Sequence, residues 1–150
     1  QSHAWVEAWL GYWLAADGNP VGLETLTTGD DPTAVKYCAA KQFFKYIRPG
    51  AVRLITAPDH HDGVLLGAYL HEKNRTLTLT LINDATAART ACLRLPAAFA
   101  GAKFFAVRTS ETERCATLPP LAARGQVLSC DLPAKSLVTL QATLPAANTP

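Results

Sequence analysis

Lys36 to Arg53, KYCAAKQFFKYIRPGAVR, is the stretch whose reading decides the fold. A helix is expected from about Thr33 to Ile47. Val35, Cys38, Ala39, Phe43 and Tyr46 recur at steps of three and four and make one broad apolar face. Asp31 is placed to cap this helix, and Pro32 suits its first position, where no amide donor is needed. Arg48 precedes a proline, which biases it out of helical geometry, and Gly50 completes the stop.

From Ala51 the period changes to two. Val52 to Ile55 reads as a short strand, and Asp59-His60-His61-Asp62-Gly63 as a turn. Val64 to His71 and Thr76 to Ile82 form a hairpin around Glu72-Lys73-Asn74-Arg75. In Thr76 to Leu81 the leucines face one way and the threonines the other, the pattern of a half-buried strand in an open sheet. Ala91 to Leu95, Lys103 to Thr109, Gln126 to Leu132 and Leu137 to Ala142 continue the series. About seven strands with turn signals between them predict an antiparallel β-sandwich. Leu144 to Pro150 reads as a frayed tail.

Upstream, residues 1–16 (QSHAWVEAWLGYWLAA) are apolar on both alternating faces. Trp5, Trp9 and Trp13 lie four apart, which also fits a helical stripe, but Gly11 disfavours one continuous helix. A buried strand from about Trp9 to Leu14 is expected, of the kind found in parallel sheets covered on both sides. Asp17 to Pro32 reads as loop. Such an opening needs covering by other polypeptide, because its aromatic rings exceed the apolar patch that a monomer usually shows.

Composition bounds the function. The chain has 150 residues, 49% hydrophobic and 17% charged, which fits a folded domain rather than a disordered one. Its net charge of +2 comes from scattered Lys and Arg, so neither a nucleic acid nor a membrane is an expected partner. There is no apolar run long enough to span a bilayer and no secretory leader pattern. The chain contains no Met, which suggests a piece of something longer. Of the cysteines, Cys38 reads as a buried thiol, and one disulfide is expected among Cys92, Cys115 and Cys130 without the sequence choosing the pair. Asn74-Arg75-Thr76 is an N-glycosylation sequon at a hairpin tip, and with a disulfide it points to a secreted, extracellular glycoprotein.

Several segments together carry a family resemblance. Leu132-Pro133-Ala134-Lys135-Ser136-Leu137-Val138-Thr139-Leu140 is similar to the closing strand pair of the side domain of glycoside hydrolase family 30. Val107-Arg108-Thr109-Ser110-Glu111 and Leu79-Thr80-Leu81-Ile82-Asn83 resemble two further segments of that domain. The helix with Arg48-Pro49-Gly50 resembles the seam between the last barrel helix and the side domain, and Ala8 to Trp13 resembles the eighth barrel strand. The resemblance implies a mainly β chain: an antiparallel β-sandwich preceded by one strand-helix unit of a (β/α)8 barrel. Residues 1–47 would be the barrel remnant, 48–143 the side sandwich and 144–150 the tail. It also implies a retaining β-glycosidase, which acts through two carboxylates about 5 Å apart. In the family these are glutamates on earlier barrel strands, so neither is expected here, and the remainder of the barrel, in the same or another chain, becomes the expected partner.

The candidate sites follow. Trp13 lies near the C-terminal end of the proposed strand, where barrel active sites lie, and could stack on a sugar or simply pack. Asn74 is the glycosylation candidate. Glu7 reads as a residue on a helix end or rim rather than an acid catalyst, and Asp17, Asn19 and Glu24 as solvated loop rather than sugar-binding groups. Asp59-His60-His61-Asp62 is most simply a turn, His3 and His71 show no partner, and neither a metal nor a cofactor is expected. Ser110, Glu111 and Glu113 have no histidine within sequence reach. The expected role is the structural side domain of a glycosidase. The alternative is a non-catalytic carbohydrate-binding or structural glycoprotein module, and the aromatics after Tyr69, only Phe99, Phe104 and Phe105, give that little support.

Overall fold

The computed structural model describes residues 13–16, 25–28, 34–57 and 60–144. Strands β1 (Trp13–Ala16) and β2 (Thr25–Thr28) come first, then helix α1 (Val35–Tyr46). Strands β3 (Val52–Leu54), β4 (His60–His61), β5 (Val64–His71), β6 (Thr76–Asn83) and β7 (Arg89–Arg94) follow. The chain closes with β8 (Lys103–Thr109), β9 (Ala116–Ala122), β10 (Val127–Leu132) and β11 (Ser136–Thr143). The large sheet is antiparallel, in the order β3-β5-β6-β11-β8-β9, with β4 also paired to β5. A separate antiparallel ribbon, β7–β10, covers one face of it.

The core lies between sheet and ribbon. Leu77, Leu79 and Leu81 of β6 and Val138 and Leu140 of β11 share one buried cluster with Leu128 and Leu132 of β10. Each such side chain, fully buried, stabilises the fold by about 1.5–3 kcal/mol. The opposite face is also covered. Thr78, Thr80 and Thr139 are only 3%, 3% and 1% exposed: α1 bonds to Thr78 and Thr139, and Thr80 lies in the sheet between Thr139 and Gly67. The expected half-buried strand is therefore buried on both sides. Threonine there reads as a solvated face only until the helix returns onto the sheet.

Helix α1 begins at Val35, with Ala34 at its N-cap and no side-chain cap. Asp31 and Pro32 lie outside the described residues. Its buried residues are Cys38, Ala40 and Gln42, whereas Val35 is 43% exposed and Phe43 and Tyr46 are half-buried. The apolar stripe thus sits to one side of the true contact face, whose centre is polar. The stop after α1 follows the reading: Gly50 adopts φ +91°, and a Cβ there would stand 3.2 Å from the His71 ring. His71 does have partners. Its Nε2 lies 3.0 Å from the Pro49 carbonyl, and its Nδ1 accepts the Asn74 backbone N–H at 3.2 Å.

Three strands depart from the reading. β9 contains Pro119-Pro120, which disfavours a strand, but it lies at the sheet edge, where missing donors are tolerated, beside a register irregularity between Phe104 and Ala106. β4 replaces the centre of the expected turn. β2 lies inside the expected loop and pairs in parallel with β1, Trp13 opposite Thr25. The parallel character expected upstream is present, but the described strand runs from Trp13 to Ala16, and Trp9 to Tyr12 lie outside the described residues. So do residues 1–8 and the tail from Pro145.

Candidate functional site

Two clusters of polar chemistry stand out, and both lie where α1 meets the large sheet. At the centre of the seam, Gln42 is 1% exposed and bonded through both ends of its amide. Its Nε2 donates to Thr109 Oγ1 at 2.7 Å, and its Oε1 accepts from Thr139 Oγ1 at 2.7 Å. At the helix end the Tyr46 carbonyl, orphaned by helix termination, accepts from Thr78 Oγ1 at 3.0 Å and Gln141 Nε2 at 3.2 Å. The Tyr46 and Phe105 rings meet at 5.9 Å. Threonines on alternate sheet positions thus form a polar socket for one glutamine and one helix end.

The second cluster is the β8–β9 loop. Arg108 and Glu113 make a bidentate pair, with both N–O distances 2.6 Å, and Ser110 Oγ donates to the same carboxylate at 2.9 Å. The Arg108 guanidinium holds the Glu113 carboxyl below its ordinary range, and Ser110 adds to this against the opposing effect of burial. Arg114 Nη1 donates to the carbonyls of Ser110, Glu111 and Glu113. A carboxylate tied in this way is an anchor, not a proton donor. Only the spacing of Arg108 and Glu113 hinted at this pairing in the sequence.

The residues singled out from sequence fall in different places. Trp13 opens β1. Asn74 is exposed in the β5–β6 turn, and the hydroxyl of its sequon partner Thr76 donates to the Asn74 carbonyl at 3.0 Å. Asp17, Asn19, Glu24, Glu7 and His3 lie outside the described residues. Among the described residues, no group of three His, Cys, Asp or Glu could hold a metal ion, and no helix is long and apolar enough to cross a membrane.

The cysteines are arranged differently from the expectation. Cys92 sits opposite Ser129 on the exposed face of the ribbon, while Cys130, one register position on, points into the core. Adjacent positions of a strand pair face opposite ways, so these two do not meet. Cys115 lies instead against α1, its Sγ 3.3 Å from the Cys38 carbonyl oxygen.

A groove of about 600 Å3 opens beside β7, between the ribbon and the β5 side of the sheet. Its floor is aliphatic, with Leu66, Ala68 and Leu79, and its wall includes Arg94 and the ion pair of Arg89 with Asp62 at 3.0 Å. Among the described residues no aromatic side chain lines it, and a ring is the platform on which a sugar would stack.

The architecture has close counterparts among solved structures. Over 80% of its length this chain superposes on an endoxylanase of glycoside hydrolase family 30 from Clostridium papyrosolvens C71, with TM-score 0.69 and 23% identity. This chain resembles a C-terminal piece of a family 30 glycoside hydrolase. The catalytic domain of the family 30 xylanase C from Talaromyces cellulolyticus matches 80% of the chain at 26% identity and TM-score 0.64. A family 44 xyloglucanase from Paenibacillus polymyxa matches 80% of it at 14% identity and TM-score 0.59, so the architecture recurs outside family 30. The chain spans 30%, 27% and 25% of the length of these three proteins. No family model and no curated protein matches the sequence.

Proposed function

We propose that this chain is the C-terminal part of a secreted, retaining β-glycosidase, in which the sandwich is a rigid side domain and the two catalytic glutamates lie on earlier barrel strands. The observation that carries this reading is the match over 80% of this chain against only 30% of the xylanase it resembles. One local feature supports it: the socket that fixes α1 suits a side domain coupled to a barrel helix. On this reading Trp13 stacks on the sugar, Asn74 carries a glycan, and residues 1–47 belong to the barrel while 48–143 form the side domain.

Polysaccharide hydrolysis tests the reading. The 150-residue chain, assayed on β-1,4-xylan and on β-glucans, is expected to release no reducing sugar. The polypeptide from which it comes is expected to do so, with two upstream glutamates required. Hydrolysis by the isolated chain, or a parent polypeptide without a preceding barrel, overturns the reading. Retention of the isolated chain on polysaccharide affinity gels without turnover would favour a carbohydrate-binding module instead.

A further inference from the structure

Cys115, which the sequence grouped with Cys92 and Cys130, is held in an unusual backbone. Cys115 adopts φ +48°, a left-handed conformation that a side chain other than glycine's rarely takes. The surrounding loop enforces it. Cys115 N–H donates to Thr109 Oγ1 at 3.1 Å, and Thr109 is itself gripped by Gln42. Just before it, the Arg108–Glu113 pair and the three Arg114 bonds fix the loop from residue 110 to 114. Strain of this kind persists only where the surroundings over-determine it, and its result here is to aim a thiol at α1. Cys115 Sγ reaches the Cys38 carbonyl at 3.3 Å, which sets the two cysteines side by side across the seam.

We propose that Cys38 and Cys115 form a disulfide that bolts α1 to the β8–β9 loop. Cys115 is half-buried and is the thiol that a small disulfide reaches first, whereas Cys38 is buried. The Cys115 thiolate attacks one sulfur of a small-molecule disulfide such as oxidised glutathione, and one small thiol leaves. The Cys38 thiolate then attacks Cys115 Sγ in the mixed disulfide and expels the second. Two protein thiols are oxidised, one external disulfide is reduced to two thiols, and the two protons pass to those leaving thiolates. Burial raises the Cys38 thiol above its ordinary pKa, and Cys115 adds to this, while Lys41 and Arg114 pull the other way. The second step therefore speeds as pH rises.

The cross-link is independent of any glycosidase role and can be read by mass. The folded chain is incubated with oxidised glutathione, blocked, and digested with trypsin without reduction. Cleavage after Lys36, Lys41, Arg114 and Arg124 leaves Cys38 in residues 37–41 and Cys115 in residues 115–124. The expected product joins these two peptides, and the intact chain loses the mass of two hydrogens. The C92S/C130S variant is expected to keep the cross-link and C115S to lose it. The oxidised chain should unfold at higher urea than the reduced one. Three results overturn the proposal: a cross-link that runs mainly through Cys92 or Cys130, glutathione that stays on Cys115 without transfer to Cys38, or a 38–115 link that forms only in denaturant.

Discussion

Replacing Gln42 by leucine tests whether α1 is held by its polar centre or by the apolar residues around it. Leucine is close to glutamine in size, so little cavity opens. Thr139 Oγ1 loses the acceptor it reaches at 2.7 Å, in a position 1% exposed. A buried hydroxyl stranded in this way costs about 1–3 kcal/mol. Thr109 loses its 2.7 Å donor but keeps the Cys115 N–H at 3.1 Å, so its share is smaller, about 0.5–1 kcal/mol. Q42L should therefore destabilise the chain by about 2–4 kcal/mol. With a urea dependence of about 2 kcal/mol per M, the unfolding midpoint falls by about 1–2 M. The double variant Q42L/T139V removes the stranded hydroxyl along with its acceptor and should recover about 1–2 kcal/mol of the loss. Equilibrium urea unfolding followed by circular dichroism measures both. A Q42L midpoint within about 0.2 M of the parent's, or no recovery in the double variant, would refute a seam held by this network.

Further expectations rest on other contacts. Glu113 has a folded pKa below its ordinary value, so its pairing adds stability that is present above the ordinary carboxylate range and lost as pH falls through the depressed value. E113Q should cost about 1–2 kcal/mol at neutral pH and flatten the acid limb of the stability profile; an unchanged acid limb counts against the assignment. At Gly67 an added Cβ would stand 2.6 Å from Thr80 Oγ1 and 3.1 Å from the Tyr69 ring. G67A should therefore lose about 1–3 kcal/mol in thermal or urea unfolding, and a neutral effect would mean that Tyr69 moves aside freely. Secretion from a eukaryotic host should yield a chain whose gel mobility changes on glycan removal, and both N74Q and T76A should abolish the change; a shift that survives N74Q places the glycan elsewhere. Closing the loop from Cys38 to Cys115, roughly 80 residues, should add up to about 4.5 kcal/mol in the oxidised chain, less any strain.

The sandwich was legible because its strands announce themselves locally. Leu77, Leu79 and Leu81 alternate, the 72–75 turn is polar, and Arg48-Pro49-Gly50 stops a helix wherever it occurs. What escaped was every feature made by one segment meeting another. Gln42 looks like any surface glutamine until α1 is laid over Thr109 and Thr139, residues 67 and 97 positions away in the chain. Cys38 and Cys115 meet across the same seam, 77 positions apart, which spacing alone could not indicate. β9 hid behind two prolines that only an edge position allows. Asn83 shows the converse: a residue noticed for resemblance proves to be a staple, its amide donating to the carbonyls of Ala87, Leu132 and Pro133 and so tying β6 to the β10–β11 connection.

The seam also bears on where one structural unit ends and the next begins. Sequence punctuation puts a boundary at Arg48, where the helix stops. The interactions that fix α1 ignore that boundary. Its middle is gripped by β8 and β11 through Gln42, its last carbonyl by β6 and β11, and its Cys38 carbonyl by the β8–β9 loop. A hydrophobic seam alone would let the helix slide with modest loss, since aliphatic contacts are non-directional. Buried hydrogen bonds do not, because each small displacement strands a donor or acceptor in a place water cannot reach. Helix and sandwich are thus joined by directional contacts. If α1 is the last helix of a barrel, the barrel's orientation against the side domain is set by a few polar atoms spread over about two helical turns rather than by the area of the interface.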